Sequence, residues 1–352
     1  MGLKSMATTS ERVAPLTRPG RGEARLRVSE KLILGFLAYG VVASMAYPIA
    51  GSQRLAVGIL NVLAVLIVLL LSRGFQAGGE CAHRRSEDFR SPSLVATISA
   101  LRDWLPCFVI LLAYRESSLF CPRAASGALN GLFERWDRAS VGNGLVMSAL
   151  AAVSPWLGRY LEFAYLLCYP MVPLGFAVLY FSSSRQVAEP AARGLPAPLD
   201  SPIEAVSLSS REVQGQAGRA IDRFWTGVLL ALFTCYTLYP LFPLTTPRLF
   251  AHDFYHPDSQ CVLRRLNFWL LGRFAGSGGV FPSGHVAGVT AIALSVWQRS
   301  HLWGVVFTIA AASIAAATVI ERYHYLADAL AGAFIAFVAV RISNRIHSRK
   351  SP

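Results

Sequence analysis

Three ionisable side chains sit where apolar runs begin in the last third of this 352-residue chain. His285 closes the segment Phe281-Pro282-Ser283-Gly284-His285. His324 and Asp328 belong to Arg322-Tyr323-His324-Tyr325-Leu326-Ala327-Asp328. On a helix, residues i and i+4 share a face, so the Asp328 carboxylate can hold the His324 imidazole. A second histidine completes what phosphoryl transfer through a covalent intermediate requires: one imidazole to attack, a carboxylate to orient it, and an acid for the leaving oxygen. Ser283 and Gly284 open a helix, where unpaired backbone N–H groups favour an anion. Pro-Ser-Gly is also an ordinary helix start.

The elements that must position these groups are membrane helices. The chain is 54% hydrophobic and 15% charged, and charged groups at the edge of a bilayer span are costly and usually functional. Eight apolar runs are expected to cross: about 31–50, 55–72, 97–114, 161–182, 223–243, 283–298, 303–320, and one starting near His324. The fold class is therefore all-α, a polytopic membrane bundle of about eight spans. Pro170 and Pro173 predict a kink in the fourth. The Leu145–Leu157 run reads as a surface or re-entrant helix, and the stretch before the Pro-Ser-Gly-His box as a long polar loop.

Residues 1–30, with five arginines and two prolines, read as a disordered cytoplasmic tail. Residues 31–96 hold two spans and a cytoplasmic loop, 97–345 form the functional core, and 346–352 are a basic tail. Within the core, 183–220 is rich in Ser, Ala, Pro and Gly and reads as a flexible linker. Eight spans put both termini on one side. The larger share of Lys and Arg falls there too, so that side is cytoplasmic and the histidines lie outside, at the cell membrane. Adjacent Arg102 and Asp103 do not share a helix face and read as interfacial charges beside Trp104.

The net charge of +13 does not point to nucleic acid, because the basic residues lie between apolar runs rather than on one soluble face. Six cysteines without C-x-x-C argue against a zinc ribbon or redox pair. Cys121 and Cys261 fall in loops on the same side, and a disulfide or two free thiols both fit. His252-Asp253-Phe254-Tyr255-His256 imitates a zinc helix, but Pro257 follows directly and disfavours it. No metal or cofactor is expected.

The Pro-Ser-Gly-His box followed by His-x-x-x-Asp resembles the type 2 phosphatidic acid phosphatase superfamily. The form Arg-Tyr-His-Tyr-x-x-Asp is similar to its inositol phosphorylceramide synthase-like branch. The resemblance extends from about Leu101 to Val340. It implies a six-helix core, with His324 as nucleophile, Asp328 orienting it, and His285 as general acid. It also implies phosphate contacts from Arg248, Ser283 and Gly284, and a lipid phosphate or phosphodiester as substrate. The lysine that the family places seven residues before its arginine is Leu241 here, and the following proline is Leu249. The family's Ser-Arg pair is Ala317-Thr318, for which Arg322 is the expected replacement; a snorkelling interfacial arginine is the competing reading. A non-catalytic lipid-binding protein is the alternative class, although binding alone needs no nucleophile.

Overall fold

The computed structural model describes residues 26–84, 92–121, 127–140, 155–192, 203–247, 261–274 and 279–349. Among them regular structure is entirely helical: α1 (Val28–Ala46), α2 (Gly51–Arg84), α3 (Pro92–Leu119), α4 (Gly127–Ser140), α5 (Pro155–Leu166), α6 (Cys168–Ala192), α7 (Ile203–Leu238), α8 (Val262–Phe274), α9 (Gly284–Trp297), α10 (His301–Ile320) and α11 (Leu326–Ser348). The chain folds as an all-α polytopic bundle.

The pattern of exposure identifies the solvent. The apolar stretch of α2 has a mean hydropathy of 2.8, yet only 22% of it is buried. Leu55, Ile59, Val62, Leu66 and Leu70 all face outward, an arrangement suited to lipid rather than water. The eight expected runs appear in order as α1, α2, α3, the α5–α6 pair, α7, α9, α10 and α11. Five of these helices are long and apolar enough to cross a bilayer, or six if the α5–α6 pair counts as one span. At 14 residues, α9 rises only about 21 Å, short of a hydrocarbon core of roughly 30 Å.

The expected kink is a 58° bend between α5 and α6. It falls at Leu167, ahead of the prolines. Pro170 has no N–H to give the Leu166 carbonyl, so α5 ends there. The first bond of the new helix then runs from Met171 N–H to Leu167 O at 3.2 Å. Pro170 sits in the first turn of α6, where its missing donor costs little.

Two further helices lie where the sequence reads as irregular. One is α4; the other, α8, falls in the stretch expected to be a long polar loop. Its apolar residues Val262, Leu266, Phe268 and Trp269 face outward, while Arg264 and Asn267 are buried. The stripe is amphipathic but inverted, so the usual pattern of apolar residues facing a core does not announce it.

At the centre, Phe224, Trp225, Val228 and Leu229 of α7 are buried, and α7 packs against α11 and α9. Small residues on α9 and α11, among them Ala287, Ala291, Ala336 and Ala339, let the backbones approach. At one end of the bundle, Asp222 of α7 accepts from Val28 N (3.1 Å), Ser29 N (2.9 Å) and Ser29 Oγ (2.7 Å), and faces His347 Nε2 at 3.2 Å. The carboxylate thereby serves the unpaired N–H groups at the start of α1. It also shows that both described ends of the chain meet there. Arg102 and Asp103, read as interfacial charges, turn inward rather than standing exposed. Both are buried, with Arg102 bonded to Glu30 at 2.5 and 2.8 Å and Asp103 to Arg27 at 2.5 Å. Helices α6 and α7 extend into the 183–220 stretch from either side.

Candidate functional site

The opposite end of the bundle carries the histidines. Ser283 ends the loop before α9, and its Oγ accepts from Val286 N at 3.3 Å as the helix N-cap. Its own N–H donates to the Asp328 carbonyl at 3.0 Å. This ties the start of α9 to the start of α11. Gly332 makes the tie possible, since a Cβ there would overlap the Ser283 carbonyl oxygen and lie 3.2 Å from Ala287 N. Gly284 is needed because a Cβ would come within 2.5 Å of the Tyr239 hydroxyl.

Between α10 and α11 runs the turn Glu321–Tyr325. His324 is buried there, and its N–H donates to Thr318 O at 2.8 Å. Its Nδ1 lies 3.3 Å from Asp328 Oδ2, which also accepts from Tyr325 N at 3.1 Å. Asp328 thus caps α11 and orients the imidazole with one oxygen. On the other side of the ring, His324 Nε2 is 3.3 Å from Nδ1 of half-buried His285. The set is consistent with one pair of neutral tautomers, assigned here from the bonds. His324 carries its proton on Nδ1 toward the carboxylate, leaving the Nε2 lone pair directed at a His285 Nδ1–H.

The remaining candidates divide. The Ser283 side chain is fully buried and occupied as a cap, so only the backbone of this segment can face an anion. Arg322 is buried, and its guanidinium pairs with Asp137 of α4. It points neither to lipid nor to bulk water, so it is not a snorkelling residue. Arg322 adopts φ 63°, a left-handed conformation that disfavours a non-glycine residue by roughly 1–2 kcal/mol. Several contacts hold it there: Thr246 Oγ1 donates to the Arg322 and Tyr323 carbonyls at 3.2 and 3.0 Å, and Asp137 Oδ1 accepts from Leu326 N at 2.9 Å. Arg248 and the His252–His256 segment lie outside the described residues. Cys121 and Cys261 are both free thiols.

A second polar group, behind the turn, is not announced by any motif. Arg264 Nη1 reaches Glu162 Oε1 at 2.9 Å and Glu321 Oε2 at 2.8 Å. Glu162 Oε2 accepts from Tyr323 OH at 2.8 Å and Asn267 Nδ2 at 2.7 Å. All five residues are buried. Burial, helped by neighbouring Glu162 and opposed by Arg264, pushes the Glu321 carboxyl upward. Tyr323 stacks on Tyr165 of α5, with centroids 3.8 Å apart, and Tyr165 in turn approaches the His285 ring at 5.5 Å. The one sequence signal for this group is Glu162 itself, a lone carboxylate in an apolar stretch.

Residues 216–342 match the model of the PAP2 superfamily. The matched stretch contains His285, Arg322, His324 and Asp328, together with Arg264 and Glu321. A PA-phosphatase related-family protein of Dictyostelium discoideum is 54% identical over 56 residues. That similarity covers 16% of this chain and 10% of the relative, so the chain spans only about a tenth of that protein's length. No solved structure matches the chain.

Proposed function

We propose that the protein is a membrane-embedded enzyme that transfers phosphoryl groups from lipid phosphates or phosphodiesters through a phosphohistidine on His324. The observation that carries this reading is the Asp328–His324–His285 relay, joined by two 3.3 Å contacts. In the forward step His324 Nε2 attacks phosphorus and the P–O bond to the lipid breaks. His285, protonated to the imidazolium when the substrate's negatively charged phosphate binds beside it, gives its extra proton to the departing oxygen and is left neutral. In the second step His285 takes a proton from the acceptor, which attacks phosphorus and frees His324. The acceptor is water for a phosphatase. It is a lipid hydroxyl for a transferase of the inositol phosphorylceramide synthase kind, to which the Arg322-Tyr323-His324 sequence is similar.

A phosphoryl group between the two histidines needs about 3–3.5 Å from nucleophile to phosphorus and about 2.8 Å from acid to leaving oxygen. The His285 ring therefore swings away from its 3.3 Å contact when substrate binds. The anion is held by the backbone at the start of α9 and by Arg322, with Arg248 as a further ligand. The site faces the extracytoplasmic side of the cell membrane, since the basic Arg341, Arg345 and Arg349 cluster at the opposite end, where α11 finishes.

The test is covalent trapping. The protein in mixed micelles receives phosphatidic acid radiolabelled on its phosphate and is quenched without acid. Label appears on the wild type and is absent from His324→Gln. Equal label on that variant refutes His324 as the nucleophile.

A further inference from the structure

We propose that Arg264 is a positioning residue for His324, acting through Glu321 and Tyr323. The proposal deepens the reading above and rests on it for its kinetic consequences. Glu321 caps the end of α10 and Tyr323 directly precedes His324. Arg264 binds the first through its carboxylate and the second through Glu162. It thereby fixes two of the three residues before His324. The contacts join α5, α8 and the α10–α11 turn, and the stacked Tyr165–Tyr323 pair extends the same platform to His285.

A purely structural account of this group is weak. Burying one guanidinium with two carboxylates stabilises a fold less well than apolar residues of similar volume. Three charges at 2–3% exposure are therefore better explained by the placement and electrostatics of what they hold. The geometry fits: Arg264 Nη1 is shared between both carboxylates, so the position of one depends on the other. Among the described residues, other ionisable groups about His324 include His285 of α9, Asp328 of α11, Asp137 of α4, and Arg322 and Tyr325 in its own turn. With Arg264 removed, Glu162 is left beside the turn without its cation, and the His324 imidazolium is favoured.

Full-length wild type, Arg264→Gln and Arg264→Lys are compared in detergent micelles by three readouts. The first is thermal unfolding. The second is the titration of His324 by nitrogen NMR of histidine-labelled protein, its resonance identified by loss in His324→Gln. The third is turnover of phosphatidic acid. Expected for Arg264→Gln is an upward shift of the His324 midpoint and about a 10²-fold fall in kcat, the effect of roughly 1 Å of misplacement, with KM within about twofold. Arg264→Lys, which keeps the charge, recovers most of the midpoint and part of kcat.

If Arg264→Gln fails to fold, the charge-free triple variant Glu162→Gln, Arg264→Met, Glu321→Gln takes its place, and the same fall in kcat is expected. A folded Arg264→Gln protein whose His324 titration matches wild type overturns the proposal, as does a triple variant with full kcat. If wild type turns over no phosphorylated lipid, the functional reading fails separately and the NMR arm alone decides the positioning role.

Discussion

Gly332→Ala tests the closest approach in the site with a single methyl. The added Cβ would overlap the Ser283 carbonyl oxygen, with Ala287 N at 3.2 Å and Ser283 C at 3.3 Å. These are backbone atoms at the start of a helix, so no rotamer change relieves the overlap. The start of α9 must move from α11, on the order of 1 Å, because a close-packed interior cannot absorb the methyl otherwise. Overpacking of this kind costs about 1–3 kcal/mol. The displacement also stretches the bond from Ser283 N to Asp328 O, now 3.0 Å. It carries His285, two residues on, away from His324. A misplacement near 1 Å corresponds to roughly a 10²-fold loss of rate. The assay is kcat on phosphatidic acid in mixed micelles beside thermal unfolding. Gly35→Ala is the control, since nothing lies within 4 Å of a Cβ there, and it should keep wild-type turnover. A Gly332→Ala protein as stable and as active as wild type would refute the reasoning.

Asp137→Ala removes one anionic partner of the buried Arg322 guanidinium and the acceptor from Leu326 N. Thermal unfolding should show a loss of about 3–5 kcal/mol, and Asp137→Asn, which still accepts from Leu326, should lose less. Glu321 has its carboxyl raised from 4.5 to about 7, so the folded state binds the extra proton between those values. This group therefore contributes stability that is present below about pH 4.5 and lost as pH rises toward 7. Melting profiles from pH 4.5 to 8 should fall less steeply for Glu321→Gln than for wild type; parallel profiles would remove Glu321 from the account. The proposed chemistry assigns no role to a divalent ion, and turnover after dialysis against a chelator should equal that of untreated enzyme.

The sequence makes the relay legible and leaves its supports hidden, for physical reasons. His324 and Asp328 are four residues apart at a helix start, a spacing that predicts their contact directly. The meeting of His285 and His324 follows from helix direction. A hairpin of α9 and α10 followed by a tight turn returns the chain to the same end of the bundle. Asp137, Glu162 and Arg264 leave no such local trace, because their partners are distant in sequence and their helices turn polar faces inward. The same inversion hides α8, whose exposed Leu266, Phe268 and Trp269 read as an irregular mixture unless lipid is taken as the outer solvent. The kink shows the limit of local rules: Pro170 foretells a break, but the break falls at Leu167, just after Leu166, whose carbonyl loses its donor.

The anchoring of the histidine turn also dictates when, during biogenesis, the site can exist. Arg322 is tied to a residue 185 positions earlier, Tyr323 to one 161 earlier, and the Arg322 carbonyl to one 76 earlier. Each tie closes a long loop whose entropy is spent before its contact forms. Helices α9 to α11 can associate as a local unit as soon as they are inserted. Their turn acquires its left-handed Arg322 only after α4, α5 and α8 have docked against it. Assembly thus ends at the turn that holds His324, and a chain stalled with those three helices undocked holds a packed hairpin without that turn.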